Sequence, residues 1–101
     1  MERKKSSAAE IEAALTNLEG WLAADNNLKK RFSFANFAES LAFVNKVGEI
    51  AEGRDHHPDI LFGWGYAEFR ITTHDAGGIT VRDFDLARAI ENLWNSGEKH
   101  V

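Results

Sequence analysis

The segment from Ile60 to His74 constrains the fold most, because apolar and polar residues alternate along it. A period of two is typical of β-strands, whose successive side chains point to opposite faces. Gly65 and Tyr66 interrupt the alternation, and a two-residue loop with glycine first is typical of a type II′ hairpin turn. The sequence therefore predicts an antiparallel hairpin in which Trp64 pairs with Ala67.

The same hairpin register, continued past the strands, predicts that His57 lies directly opposite His74. Opposite side chains on one face have Cβ atoms roughly 4.5–5.5 Å apart. His56 is adjacent, so three of the four histidines would fall in one region. The histidine pair before Pro58 is also compatible with a plain corner between a helix and a strand. That structural explanation does not require the histidines to meet, so their pairing favours a functional site.

Carboxylates surround these histidines in the sequence, at Glu52, Asp55, Asp75 and Asp83. A carboxylate beside an imidazole fixes its tautomer and favours its protonated form. Asp83 is also the acidic residue of a capping box that begins at Thr80, a role that would explain it without any chemistry. Imidazoles supported by carboxylates are typical of general acid–base catalysis near neutral pH.

The rest of the chain predicts three helices and a second hairpin. A capping box at Ser7 and Glu10 begins a helix over 8–19. A longer helix is predicted from Asn36 to about Gly53, and its apolar stripe consists of Phe37, Leu41, Val44, Val47/Gly48 and Ala51. The Thr80 capping box opens the third helix, whose apolar face is Leu86, Ala87, Ile90, Leu93 and Trp94. Two short strands, 21–23 and 28–34, flank a turn of Asp25, Asn26 and Asn27.

The predicted order is therefore α-β-β-α-β-β-α, with a loop over 75–78 and a tail over 96–101. Tight turns and intervening amphipathic helices favour an α+β fold, a four-stranded antiparallel sheet with three helices packed on one face. At 101 residues, we expect a single domain spanning 1–101.

Composition excludes several kinds of chemistry. The chain has no cysteine, which removes disulfides, thiolate zinc sites, iron–sulfur clusters and thiol nucleophiles. A net charge of −4 disfavours a nucleic-acid partner, which needs a basic patch. No apolar run is long enough for a membrane helix or a signal-peptide core, so we expect no membrane contact and a cytoplasmic location.

A zinc site is the main alternative use of the histidines, since three histidines and a carboxylate can bind catalytic zinc. Adjacent side chains on an extended segment point to opposite sides, however, so His56 and His57 would not easily bind one ion. The chain also lacks a helical HExxH pair. We therefore expect no metal ligands.

The run from Glu52 to Pro58 resembles the E-x-x-x-H-H-P signature of pterin-4a-carbinolamine dehydratases, also known as dimerisation cofactors of a homeodomain transcription factor. The resemblance continues through Thr73-His74 and Asp83, and covers nearly the whole chain. Ile60 and Trp64 stand where many members have Trp and Tyr, which would alter the wall beside a bound ring.

This resemblance implies dehydration of 4a-hydroxytetrahydropterin to quinonoid dihydropterin and water, which recycles the cofactor of aromatic amino-acid hydroxylases. It implies that His56 and His74 act as acid and base and that His57, the third histidine of the catalytic set, positions the pterin. The implied substrate-binding residues are Glu52, Asp55, His56, His57, Pro58, Thr72, Thr73, His74, Asp75 and Asp83.

The resemblance implies no cofactor beyond the pterin substrate itself. Members of the family form homodimers or homotetramers, so a homo-oligomer is expected. Other members act as non-catalytic dimerisation or assembly cofactors on the same fold, and this is the alternative function. A pure adaptor has no need of three histidines and Asp83, so the intact set favours an enzyme.

Overall fold

A computed structural model describes residues 4–97. In chain order its elements are α1 (Ala8–Leu15), β1 (Leu22–Ala24), β2 (Asn27–Ser33), α2 (Phe37–Arg54), β3 (Asp59–Gly63), β4 (Tyr66–Ile71), a 3-10 turn (His74–Ala76) and α3 (Val81–Asn95). This order confirms the predicted α-β-β-α-β-β-α arrangement. The last part of the predicted tail, including His100, lies outside the described residues.

The four strands form one antiparallel sheet in the order β1-β2-β4-β3. Each hairpin supplies one inner and one edge strand, and β2 pairs with β4 in the centre. The turn between β1 and β2 consists of Asp25 and Asn26, both with positive φ (54° and 64°), as a type I′ hairpin requires. Asn27, predicted as part of this turn, already belongs to β2.

The register predicted for the second hairpin is wrong. Its turn consists of Trp64 and Gly65, with Gly65 at φ 85°, so that Gly63 pairs with Tyr66 and Phe62 with Ala67. Glycine therefore takes the second loop position instead of the first, and every pair moves by two residues. Two residues are a full period of the pleat, so the predicted faces of the strands are unchanged although the partners differ.

The helices cover one face of the sheet, and the core lies between the two layers. In α2 the buried positions are Ser40, Phe43, Val47 and Ala51, whereas Phe37 and Leu41 of the predicted stripe are 45% and 38% exposed. Phe37 instead stacks on Phe62, with ring centroids 5.6 Å apart. The face predicted for α3 is confirmed, with three of its residues fully buried: Leu86, Ala87 and Ile90.

Helix ends differ in how well the sequence predicted them. α1 ends at Leu15, not at residue 19, because the chain turns over Thr16 to Gly20 while Leu18 still reaches the core. Both predicted capping boxes, at Ser7 and Thr80, are present. No helix within residues 4–97 combines the length and apolar character needed to span a membrane.

Candidate active site

The candidate site is a cavity of about 480 Å³ at one end of the sheet. Because β3 and β4 are antiparallel, the residues just before β3 and just after β4 meet at this end. The N-terminus of α3 closes the same region. The lining consists of Asp55, His56, His57, Pro58, Asp59, Thr72, Thr73, His74, Asp75 and Arg82.

The end of α2 places the two adjacent histidines in this cavity. Asp55 adopts the left-handed conformation (φ 52°, ψ 42°), and its N–H donates to the carbonyl of Glu52 at 3.2 Å. The N–H of His56 donates back to the carbonyl of Ala51, also at 3.2 Å. This is the hydrogen-bond pattern of a Schellman cap. The cap stops the helix abruptly and turns the chain, so that His56 and His57 leave it at a fixed angle.

His56 is held by a buried carboxylate. Its Nε2 lies 2.6 Å from Oδ1 of Asp83, and the two side chains are 10% and 0% exposed. Asp83 comes from the first turn of α3, so this contact joins the end of one helix to the start of another. A short contact to a fully buried carboxylate fixes the orientation of the imidazole ring. The predicted support of a histidine by Asp83 is therefore seen in the geometry.

Two threonines complete the surroundings of Asp83. Thr73 Oγ1 donates to Asp83 Oδ2 at 2.9 Å, and the N–H of Thr80 donates to the same oxygen at 2.8 Å. The two threonine hydroxyls are 2.8 Å apart, and both residues are buried. Both oxygens of Asp83 therefore have hydrogen-bond partners, without contact to solvent. Thr80 was not among the site residues predicted from sequence, where it was interpreted as a helix cap alone.

His57 has a different partner and a different environment. Its Nε2 lies 2.6 Å from Oε2 of Glu52, with side chains 52% and 78% exposed. Glu52 precedes the cap of α2 and does not line the cavity. The contact is therefore an exposed pair at the rim, which orients His57 weakly in comparison with the buried pair of His56.

His74 begins the 3-10 turn that follows β4. The N–H of Thr73 donates to the carbonyl of Gly78 at 3.1 Å, and the N–H of Gly78 donates back to Thr73 at 3.3 Å. These bonds close the predicted loop at its base, while His74 itself stays exposed. His57 and His74 do not form the predicted cross-strand pair, because the register is shifted and both lie outside β3 and β4. The cavity nevertheless brings both of them together.

Two lining residues were missed in the sequence. Arg82 Nη2 donates to the carbonyl of Asp55 at 3.0 Å, so that α3 also holds the left-handed cap of α2. Asp59 is the first residue of β3. The position of Arg82 beside Asp83 in the third helix was visible in the sequence, but its direction depends on how α3 packs against α2.

Eight of the ten predicted site residues line the cavity, and Asp83 lies beneath it. The predicted wall at Ile60 and Trp64 is not part of this lining. Trp64 lies in the turn at the opposite end of β3, where it is 72% exposed. Within the described residues, no three His, Asp or Glu side chains are placed to hold a metal ion.

The comparisons with known proteins identify the family of the chain. The family model described as pterin 4 alpha carbinolamine dehydratase matches residues 4–93. A candidate pterin-4-alpha-carbinolamine dehydratase of Picosynechococcus is 48% identical over 84 residues, covering 83% of this chain and 91% of that protein. One from Thermosynechococcus vestitus is 46% identical over 90 residues, covering 89% and 95%. The chain belongs to the pterin-4a-carbinolamine dehydratase family.

Solved structures show the same fold. A transcriptional coactivator/pterin dehydratase from Brucella melitensis superposes with a TM-score of 0.85 at 26% identity, covering 89% of this chain and 98% of that one. A pterin dehydratase-like protein identified as a RuBisCO assembly factor in the alpha-carboxysome gives 0.60 at 23% identity, covering 72% and 84%. The second likeness concerns the fold alone.

Proposed function

We propose that this protein dehydrates 4a-hydroxytetrahydropterin to quinonoid dihydropterin and water. The observation that carries the proposal is the His56–Asp83 contact of 2.6 Å at a cavity that two further histidines also line. An imidazole with an ordinary pKa of about 6.5 can both give and take a proton near neutral pH. A cavity with several imidazoles therefore suits a reaction that moves two protons.

The reaction breaks the bond between C4a and its hydroxyl and forms a double bond between C4a and N5. The hydroxyl leaves as water once it has received a proton, and N5 loses its own proton. The proton taken and the proton given balance, so no net acid or base is consumed. General acid–base catalysis of this kind contributes roughly 10²–10⁴-fold to the rate.

His56 and His74 are the acid and base in this proposal, and His57 positions the pterin at the rim. His56 is held rigidly by Asp83, whereas His74 is carried on the turn after β4. Asp55, Pro58, Thr72 and Asp75 line the space for the ring. The protein would act as a homodimer or homotetramer in the cytoplasm and return the cofactor of aromatic amino-acid hydroxylases to its cycle.

A dehydration assay tests this proposal. Purified protein, without added metal, is expected to accelerate loss of 4a-hydroxytetrahydropterin above the rate in buffer. His74→Ala is expected to slow the reaction by at least about tenfold, the lower range for loss of one acid–base group. A rate equal to that in buffer would reject the enzyme and favour the non-catalytic assembly role. Stoichiometric zinc together with activity lost to a chelator would reject the metal-free mechanism.

A further inference from the structure

Asp83 and the hydroxyls of Thr73 and Thr80 form a chain of hydrogen bonds. A backbone amide donates to the oxygen at each end of this chain. The N–H of Arg82 donates to Thr80 Oγ1 at 3.2 Å, and the N–H of Thr80 donates to Asp83 Oδ2 at 2.8 Å. An amide N–H only donates, so both contacts have a single direction. Between these ends, Thr80 Oγ1 is 2.8 Å from Thr73 Oγ1, which is 2.9 Å from Asp83 Oδ2.

The two hydroxyl protons can be placed from these fixed ends. Thr73 donates to Asp83, because otherwise a lone pair of its hydroxyl would face a carboxylate oxygen at 2.9 Å. Thr80 then donates to Thr73, whose oxygen is free to accept. If Thr73 donated to Thr80 instead, the Thr80 hydroxyl proton would lose Thr73 Oγ1 as its acceptor, and Thr80 is completely buried. A buried donor without an acceptor is strongly unfavourable.

This order determines how Asp83 meets His56. Oδ2 accepts from a hydroxyl and from an amide, while Oδ1 faces Nε2 of the imidazole. Asp83 also lies in the first turn of α3, where the helix dipole favours negative charge. An ionised carboxylate can only accept hydrogen bonds, so the proton of this contact belongs to Nε2 of His56. The lone pair of the neutral ring is then on Nδ1.

We propose that Thr73 and Thr80 form a one-way hydroxyl relay that fixes His56 as the Nε2–H tautomer and makes Nδ1 the atom that exchanges a proton with substrate. The tautomer follows from the geometry alone, whereas the role of Nδ1 rests on the proposed function. Thr73 is 2% exposed and Thr80 fully buried, so both are positioning residues that act through Asp83. Thr73 therefore supports the imidazole and is not primarily a substrate ligand.

Long-range proton–nitrogen NMR on the full chain, without substrate, tests the tautomer. At a pH where the His56 ring is neutral, we expect protonated Nε2 and unprotonated Nδ1. In Asp83→Asn, the Thr80 amide and the Thr73 hydroxyl still donate towards the Oδ2 position, so the carbonyl oxygen of the new side chain occupies it. Its NH2 group then faces His56, and the tautomer is expected to reverse to Nδ1–H. Protonated Nδ1 in the wild type, or an unreversed variant, overturns the relay.

Thr73→Val and Thr73→Ser test whether the hydroxyl matters for positioning. The valine variant removes one of the donors to Asp83, so we expect kcat to fall about fivefold with KM nearly unchanged. Exchange of the His56 Nε2 proton with water is expected to accelerate by about the same factor, and serine should restore both values. An unchanged exchange rate in the valine variant, or no rescue by serine, contradicts the relay.

The two proposals fail separately. If the wild type shows the Nε2–H tautomer but no dehydration above buffer, the tautomer assignment stands, whereas the proposed function and with it the role of Nδ1 are rejected. If dehydration is observed with a protonated Nδ1, the relay is rejected and the enzyme stands. The wild-type spectrum decides the tautomer even if a variant fails to fold.

Discussion

Nε2 of His56 and Oδ1 of Asp83 are 2.6 Å apart, although the two residues are separated by 27 positions in the chain. His56 follows the C-terminus of α2, and Asp83 belongs to the first turn of α3. The contact is buried, so its strength depends on how accurately the two helix ends are held together.

Asp83→Ala is expected to destabilise the protein and to abolish most of its activity. The substitution leaves buried donors on His56, Thr73 and Thr80 without an acceptor, at a cost of roughly 2–4 kcal/mol. Asp85→Ala is the matched control, because that carboxylate is 57% exposed on the same helix and pairs with the exposed Arg88. Its effect should stay below about 1 kcal/mol. Chemical denaturation measures both, and equal losses would contradict the buried role of Asp83.

Arg82→Gln is expected to lower kcat/KM by about tenfold, since small displacements of a catalytic group are costly. The guanidinium donates to the carbonyl of Asp55, which is the left-handed residue directly before His56. Without this contact the C-terminal cap of α2 is held less firmly, so the His56 imidazole is positioned less precisely. Arg88→Gln removes an exposed arginine about one and two-thirds turns further along α3 and should leave kcat/KM unchanged. Steady-state kinetics measures kcat/KM of both variants. Equal values for Arg82→Gln and Arg88→Gln would exclude a positioning role for Arg82.

Glu52→Gln is expected to change stability by less than about 0.5 kcal/mol, as is typical for an exposed ion pair. The side chain of Glu52 is 78% exposed, and its carboxylate pairs with the rim histidine, His57. Any difference from the wild type should shrink in high salt, because screening weakens exposed charge pairs. Thermal unfolding at low and high ionic strength provides the measurement. A loss as large as that of Asp83→Ala would show that the rim pair is structurally essential.

Glu91→Ala is expected to destabilise the fold by roughly 2–3 kcal/mol without affecting catalysis. Its carboxylate accepts from Trp21 Nε1 at 2.8 Å and pairs with Lys30, and both charged side chains are at most 15% exposed. Removing it takes the counter-charge from the largely buried Lys30 ammonium group, which keeps its bond of 2.8 Å to the carbonyl of Glu19. Neither Glu91 nor Lys30 lines the candidate site. Asn92→Ala, at the exposed neighbouring position, is the control. The kcat of folded protein should equal that of the wild type, and a lower value would link this cluster to the site.

The sequence predicted the element order well because helix and strand periods are local signals. Capping boxes at Ser7 and Thr80 marked two helix starts correctly, since each depends on residues only three positions apart. The hairpin turn was predicted one residue too late, because glycine fits either loop position and the choice depends on the backbone twist of the paired strands. That error displaced the partner predicted for His57.

The residue types of the site were present in the chain, but their roles depend on the packing of α2 against α3. The sequence by itself determined a set of three histidines and a capping aspartate, grouped where helices and strands end. Only the tertiary structure decided that Asp83 binds His56 and leaves His57 to the exposed Glu52. The reason is physical: a local pattern sets which face of an element is apolar, whereas burial and hydrogen-bond direction at a site arise from the relative positions of elements distant in the chain.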